Sequence, residues 1–115
     1  MTIFIFLDDV RMPPDDGNLW ILARDIDRAW VELVYAWHHN EGQEIVLSLD
    51  HDLGQDKNGK DLDNGNDLVK RIEKAVATQY GFKPKLEMRI HSANPVGQQN
   101  MEAGIRSIYR LLEKQ

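Results

Sequence analysis

At 115 residues, 42% of them hydrophobic, the chain amounts to one domain with enough apolar side chains for a packed core. It has no cysteine, which excludes disulfides and thiolate metal sites, and its net charge of −5 argues against a surface that binds nucleic acid through general basicity. No apolar run approaches the roughly 20 residues needed to span a bilayer. The amino-terminal MTIFIFLDD has no basic stretch before its apolar segment, so the expectation is a cytoplasmic protein with no membrane partner.

TIFIFL (2–7) is short and continuously apolar, the pattern of a strand buried on both faces. VRMPPDDGN (10–18) follows, and Pro13-Pro14 with Asp16-Gly17 make it a loop. LWILA (19–23) is a second strand candidate. The connection between these strands is short for a helical crossover, so a tight loop must join them. Asp25 or Asp27 is placed to cap a helix whose face carries Trp30, Leu33, Val34 and Trp37. NEGQ (40–43) ends that helix, and EIVLSL (44–49) is the third strand.

Residues 55–64 are polar and turn-rich and predict an exposed insertion. After Gly65, the spacing of Leu68, Ile72, Ala75 and Val76 predicts a second amphipathic helix, stopped by Gly81 and Pro84. LEMRI (86–90) alternates apolar and charged residues, which suits an edge strand. Asn94-Pro95 then reads as N-cap and first helical residue, ahead of a stripe of Met101, Ile105, Ile108 and Leu112. The tryptophans and Met101 are expected in the core. Strands alternating with helices imply an α/β fold with a parallel sheet.

Three apolar runs end in polar clusters: Asp8-Asp9, Asp50-His51-Asp52, and His91-Ser92-Ala93-Asn94. Parallel α/β sheets bind ligands at the carboxyl ends of their strands. If the first and third strands are neighbours, Asp8, Asp9, Asp50 and Asp52 converge, with His91 and Ser92 arriving from the strand beside them. Crowded carboxylates raise one another's pKa, and a hard divalent cation, Mg²⁺ or Mn²⁺, relieves the repulsion. The acidic stretch 56–67 does not fit a calcium loop, because Gly and Glu are missing from the required positions.

These segments resemble response-regulator receiver domains. FLDDVR (6–11) is similar to their first-strand acidic pair, and LSLDHDLG (47–54) to their third strand, with Asp50 at the phosphoacceptor position. NGNDLVKRI (64–72) and RIHSAN (89–94) resemble their following turn-and-helix and fourth strand. LDDVRMPP, SLDHDLG and HSANPVGQQNM resemble more closely still a receiver-like family described as cyclic-phosphate processing. The resemblance implies a compact receiver-like (flavodoxin-like) domain over 1–115, a four-stranded parallel sheet of order 2-1-3-4 flanked by helices. Two departures set the chain apart from phosphorelay receivers. No fifth strand ending in a phosphate-contacting Lys is recognisable, and a Pro-Pro loop stands where the first helix is expected.

The function this implies is metal-dependent phosphodiesterase processing of a cyclic phosphate, on a small nucleotide or an RNA end. Asp8, Asp9 and Asp50 would hold the cation, with Asp52 assisting through side chain or backbone. His91 or His51 would act as acid and base, His91 being favoured for its strand position, and Arg11, Ser92 and Asn94 would orient the phosphate. The alternatives are a non-enzymatic signalling module phosphorylated at Asp50 and a cyclic-nucleotide sponge.

Overall fold

The structure, a computed structural model, describes residues 1–40, 42–79 and 81–113. Four strands form one sheet: β1 (Ile3–Leu7), β2 (Trp20–Ala23), β3 (Glu44–Leu49) and β4 (Lys85–Ile90). The order is β2-β1-β3-β4 and every pairing is parallel, as expected. β1 and β2 are joined by the Pro-Pro loop without a helix. In that loop Asp16 accepts from the Asn18 backbone N–H and from Trp20 Nε1, both at 3.0 Å, closing the Asp-Gly turn.

The helices are α1 (Ile26–His39), α2 (Gly65–Thr78) and α3 (Pro95–Glu113). Each starts on a side-chain cap. Asp25 accepts the Arg28 N–H, and Asn64 forms a reciprocal capping box with Asp67. Asn94 Oδ1 accepts the Gly97 N–H at 3.0 Å, with Pro95 as the first helical residue. The insertion is exposed but closed on itself: Gln55 bridges to Asp61, and Asp56 Oδ1 accepts from the Asn58 and Lys60 backbones.

One cluster holds the core. Ile5, Leu7, Leu47 and Leu49 of the sheet pack against Leu33 of α1, Ile72 of α2 and Ile108 of α3. Strand side chains alternate between faces, so these residues define one sheet face, and all three helices lie on it. The opposite face carries Phe4, Phe6, Trp20, Leu22 and Val46, of which Phe6 and Val46 are buried, and no helix covers it among the described residues. Trp30 and Trp37 flank the core from α1, whose buried line is Ile26, Ala29, Leu33 and Ala36, with Val34 only half-buried. Trp20 corrects the expectation of three core tryptophans. It stands on the helix-free face, 5.0 Å from the Phe4 ring and 5.8 Å from the Phe6 ring. Its β2 position points away from the helices, which a short apolar run cannot reveal.

Candidate active site

The parallel ladder continues one residue past the strands. The N–H of Asp8 donates to Ala23 O (3.1 Å), that of Asp50 to Leu7 O (3.0 Å), and that of His91 to Leu49 O (2.9 Å). Asp8, Asp50 and His91 therefore extend the pleat of Phe6, Ser48 and Arg89, and belong to the helix-free face. Register, and not sequence proximity, sets them side by side.

Asp8 is fully buried. Its Oδ1 accepts the backbone N–H groups of Val10 (2.9 Å) and Arg11 (2.8 Å), so the carboxylate also folds the start of the Pro-Pro loop. Its Oδ2 lies 3.1 Å from His91 Nε2 and 3.9 Å from Arg11 Nε. Burial pushes its pKa up, but the two backbone donors and His91 outweigh that and hold it below the ordinary carboxylate value. Asp50, only 8% exposed, behaves oppositely. Burial, then the charge of Asp8, raise its pKa, and the single His51 N–H bond at 2.9 Å does not compensate.

Asp9 completes the group. One carboxylate oxygen from each of Asp8, Asp9 and Asp50 lies within 4.8 Å of the other two. That spread is within reach of one hard cation, which takes its oxygens at roughly 2.0–2.6 Å. Gly54 keeps the approach open: its φ is +89°, and a Cβ there would come 3.1 Å from Asp9 Oδ2. Asp52 is not in this group. Its carboxylate turns to His51 Nδ1 (2.8 Å) and Asn94 Nδ2 (3.3 Å), and the His51 bond comes first among the causes that lower its pKa.

The two histidines differ in commitment. His91 uses both ring nitrogens, Nδ1 with Ser48 Oγ at 2.7 Å and Nε2 with Asp8 Oδ2 at 3.1 Å. A neutral ring with its proton on Nε2 satisfies both contacts. The ring also stacks on Phe6, 4.4 Å between centroids and 3° from parallel. His51 holds Asp52 through Nδ1, and its Nε2 has no partner among the described residues. Its ring lies flat against Gly97 at the start of α3, where any Cβ would overlap it.

Arg11 is half exposed. Its Nη1 donates to His91 O at 2.8 Å, which draws the guanidinium across the acidic edge. Ser92 Oγ accepts the Asn94 N–H at 3.1 Å, closing the turn before α3, and Asn94 reaches Asp52 instead of the three acids. Two contributors lie outside the sequence expectations. Arg24 donates through Nη1 to Asp8 O (3.3 Å) and Arg11 O (3.1 Å), strapping the loop to β2. Ser48 fixes His91. Each had a signal: Ser48 is the one polar residue inside an apolar strand, two before Asp50, and Arg24 continues the Trp20–Leu22 alternation past the end of β2.

A family model described as a cyclic-phosphate processing receiver domain matches residues 3–107. No curated protein and no solved structure matches the chain.

Proposed function

Since the chain belongs to the cyclic-phosphate processing receiver family, we propose that it is a metal-dependent phosphodiesterase that opens a cyclic phosphate on a nucleotide or RNA end. The observation that carries this is the meeting of Asp8, Asp9 and Asp50 within 4.8 Å at the carboxyl edge of the sheet, in the loop and strand tips that also bring His51, His91 and Arg11. A divalent cation held by these three carboxylates supplies Lewis-acid polarisation of the phosphoryl oxygens.

The chain's own residues do the rest. Opening the ring adds a water oxygen to phosphorus and breaks one ester P–O bond. One proton must leave the water and one must reach the departing alkoxide. His51 suits this transfer, because Asp52 orients its Nδ1 and its Nε2 remains uncommitted. His91 has the rigidity expected of it, but with both nitrogens engaged it acts as the group that positions Asp8. Arg11 has guanidinium donors left after its bond to His91 O, and these fit phosphate oxygens. Ser92 retains its hydroxyl proton for the same anion.

The test incubates the protein with nucleoside 2′,3′-cyclic phosphates and 3′,5′-cyclic nucleotides plus Mg²⁺ or Mn²⁺ and follows products by phosphorus NMR. Conversion to a phosphomonoester is expected. His51→Ala should lower turnover by roughly 10²–10⁴-fold with ligand binding kept, whereas His91→Ala should weaken cation binding as well. Full turnover in His51→Ala would end the acid–base assignment. No turnover, with a beryllofluoride-type phosphoryl mimic bound at Asp50, would favour the signalling module instead.

A further inference from the structure

Resting on that reading, we infer that Asn94, at the start of α3, is a positioning residue for the acid–base step: it holds Asp52, and through Asp52 the His51 ring, in the orientation that proton transfer needs. His51 sits in the turn after β3 with its backbone already fixed. Its N–H donates to Asp50 Oδ1 at 2.9 Å, and its carbonyl accepts the Gly65 N–H at the start of α2 at 2.8 Å. These bonds place the backbone of His51 and leave its ring to be set by side-chain torsions. Asp52 is the ring's hydrogen-bond partner, with Oδ1 at 2.8 Å from Nδ1. The Asp52 side chain, however, is 66% exposed. A carboxylate that open to water gains little from one partner, because ordering two side chains offsets the attraction. A further group has to hold it.

The first turn of α3 supplies that group. Asn94 Nδ2 lies 3.4 Å from Oδ1 and 3.3 Å from Oδ2 of Asp52, bridging both carboxylate oxygens. The amide is fixed in this sense, since its Oδ1 accepts the Gly97 N–H at 3.0 Å and a backbone N–H can only donate. The Asn94 backbone is held in turn by its N–H bond to Ser92 Oγ at 3.1 Å. Gly97, which is buried, packs on the flat of the His51 ring, where a Cβ would overlap it. One helical turn therefore touches both members of the pair, and the Asn94 side chain joins the two contacts. Its Oδ1 fixes the residue that packs on the ring, and its Nδ2 fixes the carboxylate that bonds the ring.

Capping alone accounts for Oδ1 and not for Nδ2. Serine caps a helix about as well as asparagine, yet its hydroxyl has no second polar atom to give to Asp52. The phosphate contact expected from the sequence is also a poorer fit, because the amide oxygen and nitrogen both have protein partners.

The test separates cap from positioning. Asn94→Ser keeps a capping oxygen for Gly97 and removes the amide nitrogen, so its melting temperature and its affinity for Mg²⁺ or Mn²⁺ should stay at wild type. With a nucleoside 2′,3′-cyclic phosphate as substrate, kcat should fall roughly 10-fold, the usual contribution of one hydrogen bond to a charged group, while KM holds. Asp52→Asn should fall at least as far. The double variant should fall no further than Asp52→Asn alone, because Asn94 acts through that carboxylate. Nitrogen NMR of the His51 ring, which needs no turnover, should show the proton on Nδ1 in mildly alkaline buffer for wild type and a mixture of tautomers for Asn94→Ser. Asn94→Asp caps equally well but repels Asp52, and should lower kcat more than the serine variant. Wild-type kcat in Asn94→Asp overturns the positioning role even if Asn94→Ser proves less stable. Wild-type kcat with an unchanged His51 tautomer in Asn94→Ser overturns it and leaves the phosphodiesterase reading standing. A raised KM with kcat kept assigns Asn94 to the phosphate and overturns it too, as do losses that multiply in the double variant. Absence of turnover in wild type defeats the phosphodiesterase reading, and the positioning role with it.

Discussion

Two chemically identical substitutions at adjacent strand tips should change stability in opposite directions. Asp50→Asn removes a buried charge that burial and Asp8 both disfavour, yet keeps an oxygen for the His51 N–H. In metal-free protein at neutral pH it should stabilise, by about 1.4 kcal/mol for every tenfold by which the fold strengthens proton binding at Asp50. Asp8→Asn weakens three contacts that favour the charged form, those to Val10 N, Arg11 N and His91 Nε2. Hydrogen bonds to charged groups contribute about 1.5–3 kcal/mol against about 1 for neutral ones. After relief of the repulsion with Asp50, a net loss on the order of 1–2 kcal/mol remains. For a domain of this size each kcal/mol shifts the melting temperature by roughly 3–6 °C. Thermal melts by circular dichroism in chelator should therefore show Asp50→Asn above wild type and Asp8→Asn below it. With Mg²⁺ or Mn²⁺ at about 100 times Kd, wild type gains about 2.7 kcal/mol by mass action, and both variants should lose that gain. If Asp50→Asn melts as low as Asp8→Asn without metal, the electrostatic reasoning is wrong and Asp50 is a structural acceptor. If either variant keeps the full metal shift, the carboxylates do not share one cation.

The same two acids set the acid limb of the stability curve. The lowered pKa of Asp8 contributes stability that is complete above the ordinary carboxylate value and is lost as pH falls through its depressed native value; the raised pKa of Asp50 removes stability as pH climbs from the ordinary carboxylate value to its native one. Urea titrations of metal-free protein should then show Asp8→Asn flattening the fall at low pH, and Asp50→Asn abolishing the loss on the higher-pH side; unchanged profiles would reject both assignments. Gly97→Ala should destabilise by 1 kcal/mol or more, to an order of magnitude, although alanine ordinarily favours a helix by about 1 kcal/mol, because the new Cβ overlaps the His51 ring. A urea midpoint at or above wild type would show that the ring can move aside freely.

Much of the architecture was legible from local pattern. β1 and β3 were readable because a short run that is apolar throughout, or after Glu44 interrupted only by Ser48, has few other places to go in a small domain. α2 and α3 followed from apolar spacing, and Asp25 and Asn94 from the unpaired N–H groups that a helix start leaves. The acids at strand tips were visible too, since a parallel sheet directs every strand's carboxyl end to one edge. Strand order 2-1-3-4 came from the resemblance, and the pairings agree with it.

The tertiary structure alone decided what each polar group does there. Asp52 is two residues from Asp50, yet its carboxylate leaves the acidic group for His51 and Asn94, because side-chain torsions answer to whichever partner packing supplies. His91 is 83 residues from Asp8 and 43 from Ser48, and register alone brings all three to one face and engages both ring nitrogens. Arg24 reads as an ordinary surface cation until the Pro-Pro loop folds over it and presents two carbonyls. The gathering of all three helices on one face is likewise invisible in the pattern, since Phe4, Phe6 and Val46 look as buried as Ile5 and Leu47. Periodicity records how a residue repeats along its own element. Which side of the sheet that repeat faces, and which distant donor meets it, depends on chain crossings between strands, and these are set by the packing of the whole domain.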